Sequence, residues 1–549
     1  MSRRRSRKGS RSLMIGLGLA NVVILAIVVW LVLQRSDTAE TTVAEAPAPQ
    51  PVQVTPVASE SFSWQDRLAP DAGADPRCPD CNVIAIALDI FRPDHLECMG
   101  YPHETAPNIC KMFEEGVLFD TFVAHAYQTP IAQMANFTGR YPSKSGFVTF
   151  NSRLAADVPT LPERLQQAGY HTVAMGSSFE VMSDMSTAMA DHTAFKADDL
   201  NPGLSFGRGF DRFIFTGHRN IPTDAIPWLK QHGDEPFFLW TIFGTLHWPY
   251  GSNVPPEHHE RFDPKPYDGI LRPHLPLSFQ LLSRIYNGRI YRESMGPAGL
   301  PLGPDDHGLI NARYDLGLWW VDRFIGELMQ SLPPERLQKT IIILYGVHGE
   351  DLGEHGYYGH YDIFDVETRM SMVILSPMQR LEQSRRVSTV TEGVDFAPTV
   401  LDLLGLDPLP DIDGQSLVPA MQSGEGDPER TAFIERVPLW EDIFRYKNSM
   451  PKHYVARVSR ILDAEVVADR AIRSQDWKLI HRTAREVEEE VSWYAFLETT
   501  PLERDEWELY DLKADPTEQH NVYADHPEEA APLRETLLAW EATLPPLQR

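Results

Sequence analysis

Two residues with the chemistry of a metal or acid–base centre stand just beyond two apolar runs. Asn82–Leu88 reads NVIAIAL and is followed by Asp89; Ile341–Tyr345 reads IIILY and is followed, after Gly346 and Val347, by His348. Apolar runs without alternation are expected of parallel strands buried on both faces. In sheets of such strands the site lies beyond the carboxyl ends. A carboxylate and an imidazole meeting there could hold a divalent ion or exchange a proton. Cys78, Cys81, Cys98 and Cys110 offer other chemistry. Cys78-Pro-Asp-Cys81 has redox spacing but runs into a strand rather than opening a helix, and Cys98 and Cys110 are not at zinc-ligand spacing. Structural disulfides or idle thiols are the plain reading, and four cysteines allow three pairings among which the sequence does not choose.

The elements around these residues alternate. Ala106–Gly116 reads as a helix with Pro107 in its first turn and Gly116 as its stop. Thr160 caps a second helix that Gly169 ends, and the strand His171–Met175 follows. Phe237–Phe243 is another apolar strand, and Leu309–Leu332 a helix with apolar residues at helical spacing. Strands alternating with helices predict an α/β fold: a doubly wound, mostly parallel central sheet with helices on both faces. After about residue 425 shorter polar strands and a closing helix predict a smaller C-terminal α+β subdomain, packed on the first.

The chain opens with Arg3, Arg4, Arg5, Arg7, Lys8 and Arg11, then an uncharged run of 21 residues, Leu13–Leu33. At 1.5 Å per residue that run can cross a bilayer core. The one-sided basic cluster places residues 1–12 in the cytoplasm and the body outside, periplasmic or extracellular. No small-x-small cleavage site adjoins the run, so 13–33 is expected to be a retained transmembrane signal-anchor. Residues 34–77, rich in Ala, Pro and acids, read as a disordered linker. The body then spans 78–425 and the C-terminal subdomain 426–549. The net charge is −27 although the N-terminal tail is basic. Such a body would repel nucleic acid and anionic lipid, so no nucleic-acid partner is expected.

Several segments in series resemble the sulfatase family of the alkaline-phosphatase superfamily. Asn82–Tyr101 resembles its opening strand, metal-binding Asp and R-x-D-H-L segment. Thr129–Pro142, TPIAQMANFTGRYP, is similar to the nucleophile segment, with Thr129 at the nucleophile's place. His247-Trp-Pro-Tyr250 is similar to the H-x-P-Y substrate-side loop. Gly346–Gly356, GVHGEDLGEHG, resembles the second metal segment, and Gly359-His360 follows at the family's usual place. Val394–Thr399, Arg473–Ile480 and Glu508–Glu518 match C-terminal landmarks. The resemblance covers about residues 82–525. It implies one divalent metal ion (Ca, Mg, Mn or Zn) held by Asp89, Thr129 and His348. It implies Thr129 as nucleophile, and His247 and His360 against an anionic sulfate, phosphate or phosphonate ester or as proton donors. The substrate would be a small molecule, glycan or lipid.

The departures are chemical. Thr129 replaces the Cys or Ser that is oxidised to formylglycine, so that modification is excluded. Ala132-Gln133 replaces the Ser with Arg or His of the nucleophile motif, removing a cation, and Ile90 stands second in the family's Asp pair. Val347 replaces a metal-binding Asp. Asp351 could reach back in its stead, but a solvated surface acid is the expectation. Glu354 and His355 are expected to order their loop, and the acidic run 486–491 to be a solvated face. The rival to a metal-dependent hydrolase is a catalytically inactive, sulfatase-like binding protein at the cell surface.

Overall fold

The computed structural model describes residues 63–547 except 150–151, 177–194, 197–206, 216–220, 233–234, 272–276, 278–280, 282–284, 287–288, 291–299, 438–467 and 484–504. The expected anchor and the acidic run at 486–491 lie outside these residues.

Strand β1 (Asn82–Leu88) lies at the centre of the sheet and is buried along its whole length. Before β7 in the chain come β2 (Val117–Val123), β3 (His171–Gly176), β4 (Phe195–Lys196), β5 (Arg212–Phe215) and β6 (Phe237–Phe243). After them come β7 (Thr340–Gly346), β8 (Arg369–Leu375), β9 (Arg385–Val387) and β10 (Thr391–Glu392). The order is β9-β2-β8-β7-β1-β6-β3-β5-β4, with β10 also on β2. Strands β7, β1, β6, β3 and β5 run parallel, while β8 is antiparallel to both β7 and β2. The sheet is therefore mixed, with a parallel centre.

The composition of β1 sets the geometry of one face. Ala85 and Ala87 alternate with larger residues and share a face with Asp89. Their small side chains leave room for Trp240, beside Ala85 on β6, and Tyr345, beside Ala87 on β7. The Trp240 indole Nε1–H donates to the Tyr345 hydroxyl at 3.0 Å across β1. The Tyr345 hydroxyl in turn donates to Gln133 Oε1 at 2.9 Å, which seats the helix Thr129–Thr138 on that face.

Helices α1 (Pro107–Glu115), α2 (Thr129–Thr138), α3 (Leu161–Gln167) and α4 (Pro304–Ser331) cover the sheet. The α3 start is a capping box between Thr160 and Glu163, and α2 ends at Gly139, whose φ of 64° suits glycine. After α5 (Phe396–Leu403), the C-terminal part is a four-stranded antiparallel sheet. Its strands are β11 (Ala432–Arg436), β12 (Asp469–Arg473), β13 (Trp477–His481) and β14 (Trp507–Asp511), and helix α6 (Pro527–Glu541) packs on it. Buried ions join it to the short helix Asp365–Thr368 that leads into β8: the Lys478 ammonium and Arg473 guanidinium lie 3.1 and 3.0 Å from the Asp365 carboxylate. Burial works to raise Asp365, but these two cations hold its carboxyl well below the usual range.

The linker is expected to run to residue 77, but residues 63–77 pack on the body. Trp64 is 1% exposed, the Ala69 N–H donates to the Pro377 carbonyl, and Gly73 pairs with Gln379. Composition alone misread this stretch because its few apolar residues dock singly rather than in a periodic element. Both cysteine pairs close locally, as disulfides Cys78–Cys81 and Cys98–Cys110.

Candidate active site

Asp89, Thr129 and His348 come together at the carboxyl end of the central strands. The β1–β7 pairing ends at Leu88 and Gly346, and the Val347 N–H donates to the Leu88 carbonyl at 2.9 Å. This carries Asp89 and His348 just past the sheet. Thr129 is the first residue of α2, with Pro130 behind it, so its hydroxyl sits at the positive end of the helix dipole. Thr129 Oγ1 lies 2.9 Å from Asp89 Oδ1 and 2.9 Å from His348 Nε2, and those two atoms are 3.3 Å apart. All three side chains are essentially buried.

The protons in this triangle are too few for its lone pairs. His348 Nδ1 is 2.9 Å from the Gly349 carbonyl, which calls for a proton on Nδ1 and leaves Nε2 as an acceptor. Burial, and then the neighbouring His360, push His348 down to about 4, so it is neutral at physiological pH. The single Thr129 hydroxyl proton then faces two acceptors, and Asp89 Oδ2 is buried with no hydrogen-bond partner among the described residues. A carboxylate with an unused oxygen, a neutral imidazole nitrogen and a hydroxyl oxygen are a donor set that suits a divalent cation. The residues therefore fit a metal, though with fewer carboxylates than the resemblance implies.

Val347 is where that carboxylate would be. It stands beside Asp89, is 1% exposed and belongs to the hydrophobic core. Asp351 does not replace it, nor is it the solvated acid expected: it is buried, with Oδ2 2.5 Å from His355 Nδ1 and Oδ1 accepting from the Gly353 N–H. Glu354 accepts from the buried Arg92 guanidinium at 2.8 Å, so Glu354 and His355 both tie down their loop. Gln133, at the place of the family's cation, is turned to Tyr345. Ile90 has a φ of 46°, a conformation that costs a β-branched residue about 1–3 kcal/mol. Tyr314 holds the bend, donating to the Ile90 carbonyl and accepting from the Arg92 N–H, each at 2.8 Å.

His360 and His247 flank this triangle. The His360 ring lies 4.6 Å from that of His348 and 5.2 Å from that of His247. His360 Nδ1 is 2.5 Å from Glu350 Oε2, and the other oxygen of Glu350 accepts from the Tyr250 hydroxyl. Burial pushes the Glu350 carboxyl up to about 7, against the pull of His247 and the Tyr250 hydrogen bond. Sequence reasoning gave Glu350 no role. The only signal was its place in the segment of His348, and nothing in the spacing shows that it turns towards His360.

Comparisons with known proteins give the family and the fold. Residues 81–406 match the family model described as Sulfatase, and residues 353–499 the one described as N-sulphoglucosamine sulphohydrolase, C-terminal. The chain is 25% identical over 502 residues to N-acetylglucosamine-6-O-sulfatase of Bacteroides thetaiotaomicron, covering 80% of this chain and 82% of that one. It is 22% identical over 501 residues to the multifunctional alkaline phosphatase superfamily protein PehA of Trinickia caryophylli, covering 81% and 91%. Its fold is similar to that of a protein solved with its substrate D-glucosamine-2-N,6-O-disulfate, at a TM-score of 0.57 and 21% identity over 84% of this chain and 97% of that one. The phosphonate monoester hydrolase of Agrobacterium radiobacter is similar too, at a TM-score of 0.57 and 21% identity over 84% and 95%.

Proposed function

The chain belongs to the sulfatase family, and on that premise we propose that it hydrolyses an anionic sulfate, phosphate or phosphonate ester with Thr129 as nucleophile. One observation carries this: the Thr129 hydroxyl, at a helix N-terminus, lies 2.9 Å from both Asp89 and His348. The family resemblance implies a divalent metal ion. Here Asp89, His348 and Thr129 would hold it, and it would lower the hydroxyl pKa and neutralise charge on the transferring group.

The chain's own residues supply the rest. Asp89 Oδ1 takes the Thr129 proton as Oγ1 bonds to the sulfur or phosphorus. The bond to the ester oxygen breaks, its electron pair stays with that oxygen, and His360 protonates it. Water then attacks the threonine ester, giving a proton to the now neutral His360, and Oγ1 leaves with the proton held by Asp89. His247 lies against the anionic group. The protein would act from the membrane, held by residues 13–33 with its body outside, which the one-sided basic cluster supports.

Val347 and the engagement of Gln133 with Tyr345 favour a second reading, an inactive binding protein. Metal analysis of the purified protein with a panel of aryl sulfates, phosphates and phosphonates separates the two. A stoichiometric ion and turnover support the hydrolase; neither ion nor turnover supports the binding protein. Protease added outside intact cells, or to spheroplasts, should digest the body, and a protected body would remove the anchor from the proposal.

A further inference from the structure

Two loops bring histidines to the site, and one carboxylate touches both. Tyr250 ends the segment that carries His247, and its hydroxyl donates to Glu350 Oε1. His360 ends the segment 353–360, and its Nδ1 is 2.5 Å from Glu350 Oε2. Glu350 itself cannot swing. It is fully buried, its N–H donates to the Val366 carbonyl at 3.0 Å, and its carbonyl accepts from Arg92 Nη1 at 2.7 Å.

We propose that Glu350 is a positioning residue: by accepting the Nδ1–H of His360 and the hydroxyl of Tyr250, it fixes His360 so that Nε2 is the nitrogen that protonates the leaving oxygen. A carboxylate on Nδ1 selects the tautomer and orientation of the ring and stabilises the imidazolium that carries the proton. The Tyr250 bond ties the His247 loop to the same carboxylate, so both histidines keep one spacing, 5.2 Å between rings. Glu350 touches neither the ester nor the transferring group, and its role is exercised wholly through His360.

This rests on the hydrolase reading, and its test is the dependence on the leaving group. A poor leaving group needs the proton and a good one does not. Phenyl and 4-nitrophenyl sulfates, phosphates and phosphonates are compared for the full-length wild type, Glu350→Gln and Tyr250→Phe. Glu350→Gln keeps the shape and removes the charge. Its kcat should fall about 100-fold on the phenyl ester and about 3-fold or less on the 4-nitrophenyl ester, with KM unchanged on both. Tyr250→Phe, which leaves Glu350 in place, should shift the same ratio in the same direction by less. Equal losses on the two esters, or no loss, would overturn the assignment. If wild type hydrolyses neither ester, the hydrolase reading fails, and the proposal is then decided by 15N-histidine NMR. A strongly deshielded Nδ1 proton that vanishes in His360→Gln and moves upfield in Glu350→Gln supports the fixing of the His360 ring by Glu350, and its absence from wild type rejects it.

Discussion

Asp89 and Val347 are neighbours one step beyond the paired ends Leu88 and Gly346 of the two central strands, with the Val347 N–H on the Leu88 carbonyl at 2.9 Å. A carboxylate at 347 would stand beside the one at 89. The valine instead puts apolar surface there, while Asp89 Oδ2 stays buried without a hydrogen-bond partner among the described residues. On the hydrolase reading, Asp89 would hold the ion from one strand while Val347 offers it no ligand from the other.

Val347→Asp should therefore tighten divalent-ion binding by about 10-fold or more, the scale on which loss of even an outer-shell partner weakens metal sites. Isothermal titration of the metal-free protein with Mg, Ca, Mn and Zn measures it directly. Aryl-ester turnover should rise in parallel. A variant that folds, binds no ion and hydrolyses nothing would favour the binding-protein reading.

Thr129→Ala should abolish turnover of any ester the wild type hydrolyses, by about 10³-fold or more, because no other oxygen stands at that place. Thr129→Ser should retain activity. Co-expression with a formylglycine-generating enzyme should change nothing, since threonine cannot be converted to that aldehyde. Turnover surviving in Thr129→Ala would move the chemistry to another residue.

The parallel centre of the sheet was legible because strand β1 is apolar throughout and a strand buried on both faces must be. Asp89 and His348 were legible because carboxyl ends of such strands are where sites form, and Thr129 because its segment resembles a family motif. What escaped was contact made by folding back. Asp351 looked like a surface acid because charge suggests solvent, yet His355 four residues on receives it in the interior. Glu350 escaped for the same reason, its partners Tyr250 and His360 lying on two other loops. The antiparallel β8 within the sheet escaped because RMSMVIL carries no mark of direction.

The packing of residues 63–77 makes the cut site of a soluble fragment matter. Removing residues 1–61 leaves every described residue in place. Removing 1–77 also strips buried Trp64 and the Gly73–Gln379 pairing. Loss of a buried aromatic alone costs about 3–5 kcal/mol, so the shorter fragment should melt well below the longer one. Equal midpoints by scanning calorimetry would mean that this stretch contributes nothing to the core.

His125 supplies a pH dependence away from the Asp89, Thr129 and His348 triangle. It is fully buried at the seam with the C-terminal sheet, Nδ1 lying 2.7 Å from the Phe433 carbonyl and Nε2 accepting from the Val394 N–H at 3.0 Å. That pattern satisfies only the neutral ring: a second proton on Nε2 would face an N–H. Burial pushes His125 down to about 4, although the Phe433 carbonyl favours the charged form. The folded pKa lies below the ordinary 6.5, so between these values the unfolded chain binds the extra proton. Stability from this residue is complete above about pH 6.5 and is lost as the pH falls towards 4. The thermal midpoint should drop through that window, and His125→Gln should lower it at neutral pH while flattening the acid slope. An acid slope unchanged in His125→Gln would assign the loss to other groups.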